Sequence, residues 1–128
     1  MKKKNQKKKI LLVEDEKPIA QTLELKLSKS GFDVVCAYDG VEGLTCLAAE
    51  PFDLVLLDLV MPEKDGFTVL EELQGKKRPP IIVLTNLGQE EDAQRCKDLG
   101  ADDYFVKADT PLVTIVERIT TLFNTKKA

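Results

Sequence analysis

Short apolar runs alternate with longer amphipathic segments along most of the chain. The five apolar runs are almost continuous in hydrophobicity, which is typical of strands buried on both faces of a parallel sheet. They cover residues 10–13, 34–37, 54–57, 81–84 and 104–106. The segments between and after them have the length and period of helices. The pattern therefore predicts an α/β fold of five strands alternating with five helices.

Helix-end signals set the expected helix boundaries. Lys17 and Pro18 suit the first turn of the first helix, and Gly31 suits its end. Asp39 is expected to cap the second helix, and Asp109 the fifth. The predicted helices cover about residues 17–30, 40–50, 67–73, 89–99 and 110–123.

The alternation of strands and helices also predicts the sheet topology. Parallel strands joined by right-handed helical crossovers form a doubly wound sheet with helices on both faces. For five strands we expect the order 2-1-3-4-5. In such a sheet the ligand site lies where the winding reverses, beyond the carboxyl ends of strands 1 and 3.

Polar residues follow four of the predicted strands at that edge. Glu14 and Asp15 follow strand 1, Asp58 follows strand 3, Thr85 follows strand 4 and Lys107 follows strand 5. A polar residue after an apolar run is common on its own, because loops are polar. The combination is more specific, because it places carboxylates on both sides of the switch point.

The acidic residues predict a metal site. Glu14, Asp15 and Asp58 carry three negative charges, of which Lys107 offsets one. Carboxylates that lie close together repel each other and are costly to desolvate. Mg²⁺ suits a site with few carboxylates and several waters, so it is the expected cofactor. The alternative is a set of solvated loop acids.

The motifs at these strand ends resemble those of a known family. They are the acidic pair in ILLVEDE, the aspartate in DLVLLDLVMPEKDG, the threonine in IIVLTN and the lysine in GADDYFVK. Together they resemble the receiver domain of two-component response regulators over about residues 9–123. The resemblance implies a flavodoxin-like receiver fold and a phosphorelay module switched by phosphorylation, with no enzymatic activity beyond its own phosphorylation and dephosphorylation.

The resemblance also implies roles for the acidic residues. Asp58 would accept a phosphoryl group from the phosphohistidine of a histidine kinase or a phosphotransfer protein. Asp15 and Asp58 would ligate Mg²⁺ directly, and Glu14 would act through a water. The carbonyl oxygen of Val60 would be the third protein ligand.

Further residues match the family's catalytic and switch positions. Thr85 and Lys107 would contact the phosphoryl oxygens, and Tyr104 stands at the position of the switch aromatic. The fourth predicted helix has a thin apolar stripe, so it is inexpensive to shift. Phosphorylation is therefore expected to change the surface formed by helix 4, strand 5 and helix 5, where a target protein or a second receiver copy would bind.

Three features depart from the commonest family pattern. Ala108 replaces the proline that usually follows the lysine, where the family typically has a cis peptide bond. Without proline a cis bond costs about 3–4 kcal/mol. Asn86 replaces a small residue after the threonine and could narrow access to Asp58. Val60 and Leu87, two positions beyond Asp58 and Thr85, are both apolar.

Charge and composition set the expected domain organisation and partners. The first nine residues hold six lysines, whereas residues 10–128 carry a net charge of −9. We expect a basic, disordered tail at 1–8, the receiver domain at 9–124 and a short tail at 125–128, with no output domain in this chain. The acidic domain argues against direct nucleic-acid binding. No segment has a membrane-spanning length. The three cysteines are expected to be buried free thiols, which are typical of a reducing compartment, so the expected location is cytoplasmic.

Two other functions are alternatives to the receiver. A Mg²⁺-dependent phosphatase that forms an aspartyl phosphate is the main alternative, but such enzymes have a DxD pattern and Asp58 is followed by Leu59 and Val60. A flavin or nucleotide carrier is disfavoured, because the loop after strand 1 lacks the glycines, serines or threonines that cradle phosphate.

Overall fold

One parallel sheet of five strands organises the chain, in the order β2-β1-β3-β4-β5. The computed structural model describes the backbone of residues 7–127 and the side chains of residues 7–124. The strands are β1 (Lys9–Val13), β2 (Asp33–Ala37), β3 (Leu54–Leu57), β4 (Ile81–Thr85) and β5 (Asp103–Val106). The predicted fold class and strand order are confirmed.

Within residues 7–127, five α-helices and a 3-10 turn connect and follow the strands. The helices are α1 (Lys17–Lys29), α2 (Gly40–Ala49), α3 (Gly66–Glu72), α4 (Glu90–Asp98) and α5 (Leu112–Lys127), and the 3-10 turn covers Lys107–Asp109. The predicted first helix ends as expected, with Gly31 at a φ of 99° that favours glycine. All five helices lie within a few residues of their predicted positions.

The strands separate two layers of apolar side chains. One layer contains Leu54 and Leu56 of β3 with residues of α1 and α5, and the other contains Val55 and Leu57 with residues of α2, α3 and α4. Because alternate residues of β3 face opposite layers, the strand is buried on both sides. The central strands therefore hold the polar residues that follow them in fixed positions at one edge of the sheet.

The helix caps agree with the sequence at Asp39 but not at Asp109. The Asp39 carboxylate accepts a hydrogen bond from the backbone N–H of Glu42 at 2.8 Å, as a cap does. Asp109 instead ends the 3-10 turn, and α5 begins at Leu112, so its prediction as a cap was wrong. The carbonyl of Pro111 accepts the N–H of Thr114 at 3.0 Å and opens the helix in its place.

Some expectations fall on the ends of the chain or on the cysteines. Residues 1–6 of the expected basic tail and Ala128 lie outside the described residues, and α5 extends to Lys127.

Cys96 is buried as expected, but Cys36 and Cys46 are only half-buried, because they lie on the outer strand β2 and on α2. Within residues 7–127, no helix is both long and apolar enough to cross a bilayer.

Candidate functional site

All the polar residues predicted from the strand ends except Glu14 line one cavity of about 250 Å³, and Glu14 contacts Lys107 beside it. The sheet holds them there: the N–H of Glu14 donates to the carbonyl of Ala37, and the N–H of Asp58 donates to that of Val13. The first residues after β1 and β3 are thereby fixed side by side. The cavity is lined by Asp15, Glu16, Asp58, Val60, Thr85, Asn86, Leu87 and Lys107.

Three carboxylates lie close enough together to share one cation. One oxygen atom from each of Glu14, Asp15 and Asp58 lies within 4.8 Å of the other two. Glu14 is 1% exposed and Asp58 is 6% exposed, whereas Asp15 is half-buried. Burial raises the pKa of the Glu14 carboxyl, although its hydrogen bonds from Lys107 and from the N–H of Glu16 favour the charged form.

Among the described residues, Lys107 is the one lysine whose ammonium group contacts these carboxylates. Its Nζ lies 3.1 Å from Oδ2 of Asp58 and also donates to Oε1 of Glu14. Burial lowers the pKa of Lys107, but the hydrogen bond to Glu14 and the negative charges of Asp58 and Glu14 outweigh it, so the pKa lies above its usual value. Lys107 is therefore charged at neutral pH, and two negative charges remain in excess at the site.

Backbone amides and a glycine fix the orientation of Asp58. Its Oδ1 accepts the N–H of Leu59 at 2.7 Å and that of Val60 at 3.4 Å, while Oδ2 faces Lys107. A Cβ on Gly66 would lie 2.8 Å from the Cα of Leu59 and would also meet the carbonyl oxygen of Asp58. Gly66 is the last residue of the motif around Asp58, but the sequence carries no signal for this close approach to the backbone that follows the aspartate.

Gly40 is a second supporting glycine, and sequence reasoning missed it. A Cβ there would lie 2.9 Å from the carbonyl carbon of Lys64, in the loop between β3 and α3. The first turn of α2 thus packs directly on the loop that follows Asp58. Only its place next to the cap Asp39 could have drawn attention to it.

Thr85 and Tyr104 both form a hydrogen bond with the backbone of Leu87. Thr85 ends β4 and is fully buried, and its Oγ1 accepts the N–H of Leu87 at 3.4 Å. The hydroxyl of Tyr104 donates to the carbonyl of Leu87. Burial raises the pKa of Tyr104 to about 12, so the phenol is a neutral donor. Residues of the predicted switch therefore hold the loop before α4 at one residue, Leu87, through both its N–H and its carbonyl.

All the positions that depart from the family pattern except Ala108 line the cavity. No cis peptide bond occurs within residues 7–127, so the Lys107–Ala108 bond is trans, and Lys107 still reaches Asp58. Asn86 and Leu87 line the cavity, and Val60 is 58% exposed at its rim.

The donor set suits a hard divalent cation. The acidic trio offers carboxylate oxygens, which Mg²⁺ prefers, and the described residues place no thiol or imidazole beside them. The net negative charge at the site gives the cation an electrostatic reason to bind. The residues present therefore fit the Mg²⁺ expected from the sequence.

The fold and the strand-end residues together define a receiver-type signalling module, and comparison with known proteins agrees. The family model described as response regulator receiver domain matches residues 10–119. The chain therefore belongs to the response regulator receiver domain family of two-component systems.

Solved structures of receiver domains resemble the whole domain. The receiver domain of the Francisella response regulator 1452 is 29% identical, with a TM-score of 0.87 over 93% of this chain and 98% of that one. The BeF3-activated N-terminal receiver domain of Klebsiella pneumoniae RstA is 34% identical, with a TM-score of 0.83 over 88% and 96%. The Vibrio cholerae chemotaxis protein CheY4 is 28% identical, with a TM-score of 0.83 over 91% and 98%.

Proposed function

We propose that Asp58 accepts a phosphoryl group from the phosphohistidine of a histidine kinase or a phosphotransfer protein. The observation that carries the proposal is the environment of the Asp58 carboxylate. One of its oxygens is held by two backbone N–H groups and the other by Lys107, in a cavity shared with Asp15 and Thr85. An aspartate held in this way is a nucleophile that needs no general base.

The transfer exchanges one phosphorus bond for another. An Asp58 oxygen attacks phosphorus, the phosphorus–nitrogen bond breaks, and its electron pair returns to the imidazole of the donor. The product is an acyl phosphate that adds a charge of about −1.5 to −2. Lys107 offsets part of that charge, and the Thr85 hydroxyl would donate to a phosphoryl oxygen. Catalysis consists mainly of positioning and charge neutralisation, as in phosphoryl transfer generally.

Mg²⁺ would be held by the acidic trio. Asp15 and Asp58 would be the direct ligands, Glu14 would act through a water, and the carbonyl of Val60 would supply the third protein oxygen. When bound, the cation supplies charge neutralisation for the phosphoryl oxygens. Glu14 also holds Lys107, so it orients the ammonium group next to Asp58.

The output of the switch is the surface formed by α4, β5 and α5. Cys96 is the one buried residue of α4, so few apolar contacts hold this helix in place. The Thr85 hydroxyl can donate to the phosphoryl group while it accepts the N–H of Leu87, so a movement of Thr85 toward the phosphoryl group pulls on the loop that Tyr104 also contacts. Phosphorylation thereby shifts α4 and Tyr104 and alters the surface offered to a target protein or a second receiver copy.

The proposal is tested by incubating the protein with a small phosphoryl donor, with and without Mg²⁺, and measuring the intact mass. We expect the mass of one phosphoryl group to be gained with Mg²⁺ and lost in Asp58→Asn. Asp109→Asn, which removes an exposed acid outside the site, is the matched control and should behave as the wild type. An undiminished gain in Asp58→Asn would disprove the assignment.

A second test concerns the switch surface. Backbone amide chemical shifts should change on phosphorylation in α4 and around Tyr104. Changes confined to the loop around Asp58, with none beyond Thr85, would contradict the proposed output surface while leaving the phosphoacceptor site intact.

A further inference from the structure

A groove of about 880 Å³ runs between α4 and β5. Small or planar side chains line it, among them Ala93, Cys96, Ala101 and Tyr104. Acidic residues of both elements also line it, namely Glu90, Glu91, Asp102 and Asp103. The groove thus combines a narrow apolar surface with a surplus of negative charge.

The charge at one end of the groove is uncompensated. Asp102 lies 3.8 Å from Arg78, and Asp103 pairs with Arg118. Within residues 7–124, Glu90 and Glu91 have no ion-pair partner, and Lys97 is the one cation that lines the groove. A cationic occupant would therefore find two free carboxylates at the first turn of α4.

Lysine side chains fit both features of the groove. The aliphatic stem of a lysine packs on small apolar residues such as Ala93 and Ala101, while its ammonium group remains at an acidic rim. The ring of Tyr104 offers a further contact for a cation. A lysine-rich segment in extended form would place successive ammonium groups along the groove.

The chain itself contains such a segment. Residues 2–8 include five lysines and no acidic residue. They precede Lys9, which is held in place because its side chain pairs with Glu50 and its N–H donates to Asp53 at 2.7 Å. The segment of residues 1–8 therefore starts from a fixed point on the sheet, and its charge is opposite to that of the groove.

Basic residues separate this fixed point from the groove of the same molecule. Lys9 and Asp103 begin β1 and β5, which lie three strand spacings apart, or about 14 Å. Lys76, Lys77 and Arg78 precede β4 at the same end of the sheet and would repel a lysine-rich segment along that path. A groove on another molecule is approached without crossing these residues.

We propose that the lysine-rich segment of residues 1–8 docks in the α4–β5 groove of a second copy of this chain. The contact is electrostatic, so it weakens as salt rises. It involves neither Asp58 nor a phosphoryl group, and it is tested on the unphosphorylated protein. Failure of the proposed phosphotransfer therefore leaves this proposal standing, and the reverse also holds.

The experiment uses two full-length variants that are each defective in one half of the contact. The segment variant carries Lys→Gln at positions 2, 3, 4 and 7, and the groove variant carries Glu90→Gln with Glu91→Gln. Neither variant can dock with itself, but the intact segment of the groove variant can enter the intact groove of the segment variant. The matched control carries Lys→Gln at positions 17, 26, 29 and 64, which removes the same charge elsewhere.

The readout is the amide spectrum of the labelled segment variant as unlabelled groove variant is added at low salt. We expect saturable shifts at Ala93, Cys96 and Tyr104 that disappear at high salt, and an affinity about two- to fivefold weaker for each lysine removed. The control should self-associate as the wild type does in sedimentation. No shifts in the mixture would overturn the proposal, and so would groove shifts in the wild type that do not depend on its concentration, because these indicate docking within one molecule.

Discussion

Replacing Lys107 with methionine tests the electrostatics of the site without any phosphorylation. The change keeps most of the apolar stem and removes the ammonium group that contacts Glu14 and Asp58. Both carboxylates are almost fully buried, so they would be left with each other's negative charge and no positive charge beside them. We predict that the metal-free variant is markedly less stable than the metal-free wild type.

The geometry sets the size of the loss. At 3.1 Å, the attraction between Nζ of Lys107 and Oδ2 of Asp58 is about 5 kcal/mol at an effective dielectric constant of about 20. The variant has no ammonium group to desolvate on folding, and the avoided desolvation offsets part of the lost attraction. Removing one partner of a buried pair usually costs about 3–5 kcal/mol. Because the cavity opens to solvent at Asp15, we expect about 2–4 kcal/mol in the free energy of unfolding.

Mg²⁺ should reverse much of this loss. A site without the Lys107 charge attracts a divalent cation more strongly, so the variant should bind Mg²⁺ more tightly than the wild type. A cation that binds only the folded state stabilises it in proportion to the logarithm of its concentration over Kd. We expect Mg²⁺ to stabilise the variant by about 1 kcal/mol more than the wild type, which corresponds to about fivefold tighter binding.

The assay is urea unfolding of both proteins in chelator and in Mg²⁺. Lys64→Met is the matched control, because Lys64 pairs with the more exposed Glu72 and its loss should cost less than about 1 kcal/mol. The reasoning is refuted if Lys107→Met costs no more than this control in chelator, or if Mg²⁺ stabilises the variant and the wild type equally.

Three further predictions concern the support, lifetime and output of the site. Gly66→Ala should lower the free energy of unfolding by about 3 kcal/mol or more, because the added Cβ meets the backbone of the loop after Asp58. A loss below about 1 kcal/mol in thermal unfolding would show that the loop moves aside easily. Val60→Asn or Leu87→Glu should accelerate phosphate release from the phosphorylated protein, because the apolar residues at these positions do not orient an attacking water. Equal release rates in the variants and the wild type would show that Val60 and Leu87 do not protect the acyl phosphate from water. Tyr104→Phe removes the hydrogen bond to Leu87 and should speed amide hydrogen exchange in the loop before α4, whereas unchanged exchange would show that the bond does not hold the loop.

The arrangement of elements was predictable because the three central strands, β1, β3 and β4, are buried on both faces. Continuous apolar runs have no other stable place than strands covered on both faces, and the alternation with helices then fixes the topology. The same logic placed Glu14, Asp15 and Asp58 together, since the carboxyl ends of parallel strands meet at one edge. The site followed from the sequence because it depends on strand ends.

Contacts between loops were less predictable. Asp109 has the residue type of a cap, but it is the last residue of the 3-10 turn after β5. The carbonyl of Pro111 accepts the N–H of Thr114 at the start of α5 instead. Gly40 and Gly66 are required by backbone groups that are distant in sequence, and a single sequence contains no local signal for such approaches. The hydrogen bond from Tyr104 to the carbonyl of Leu87 likewise depends on how β5 aligns with the loop after β4.

The central claim, that Asp58 is the phosphoacceptor, is tested most directly by locating the acyl phosphate. Borohydride reduces an aspartyl phosphate to homoserine, which peptide mass analysis assigns to a position. After incubation with a small phosphoryl donor and Mg²⁺, the account predicts homoserine at position 58 alone, and much less of it when Mg²⁺ is chelated. Homoserine at Asp15, or equal conversion of Asp58 with and without Mg²⁺, would contradict the account.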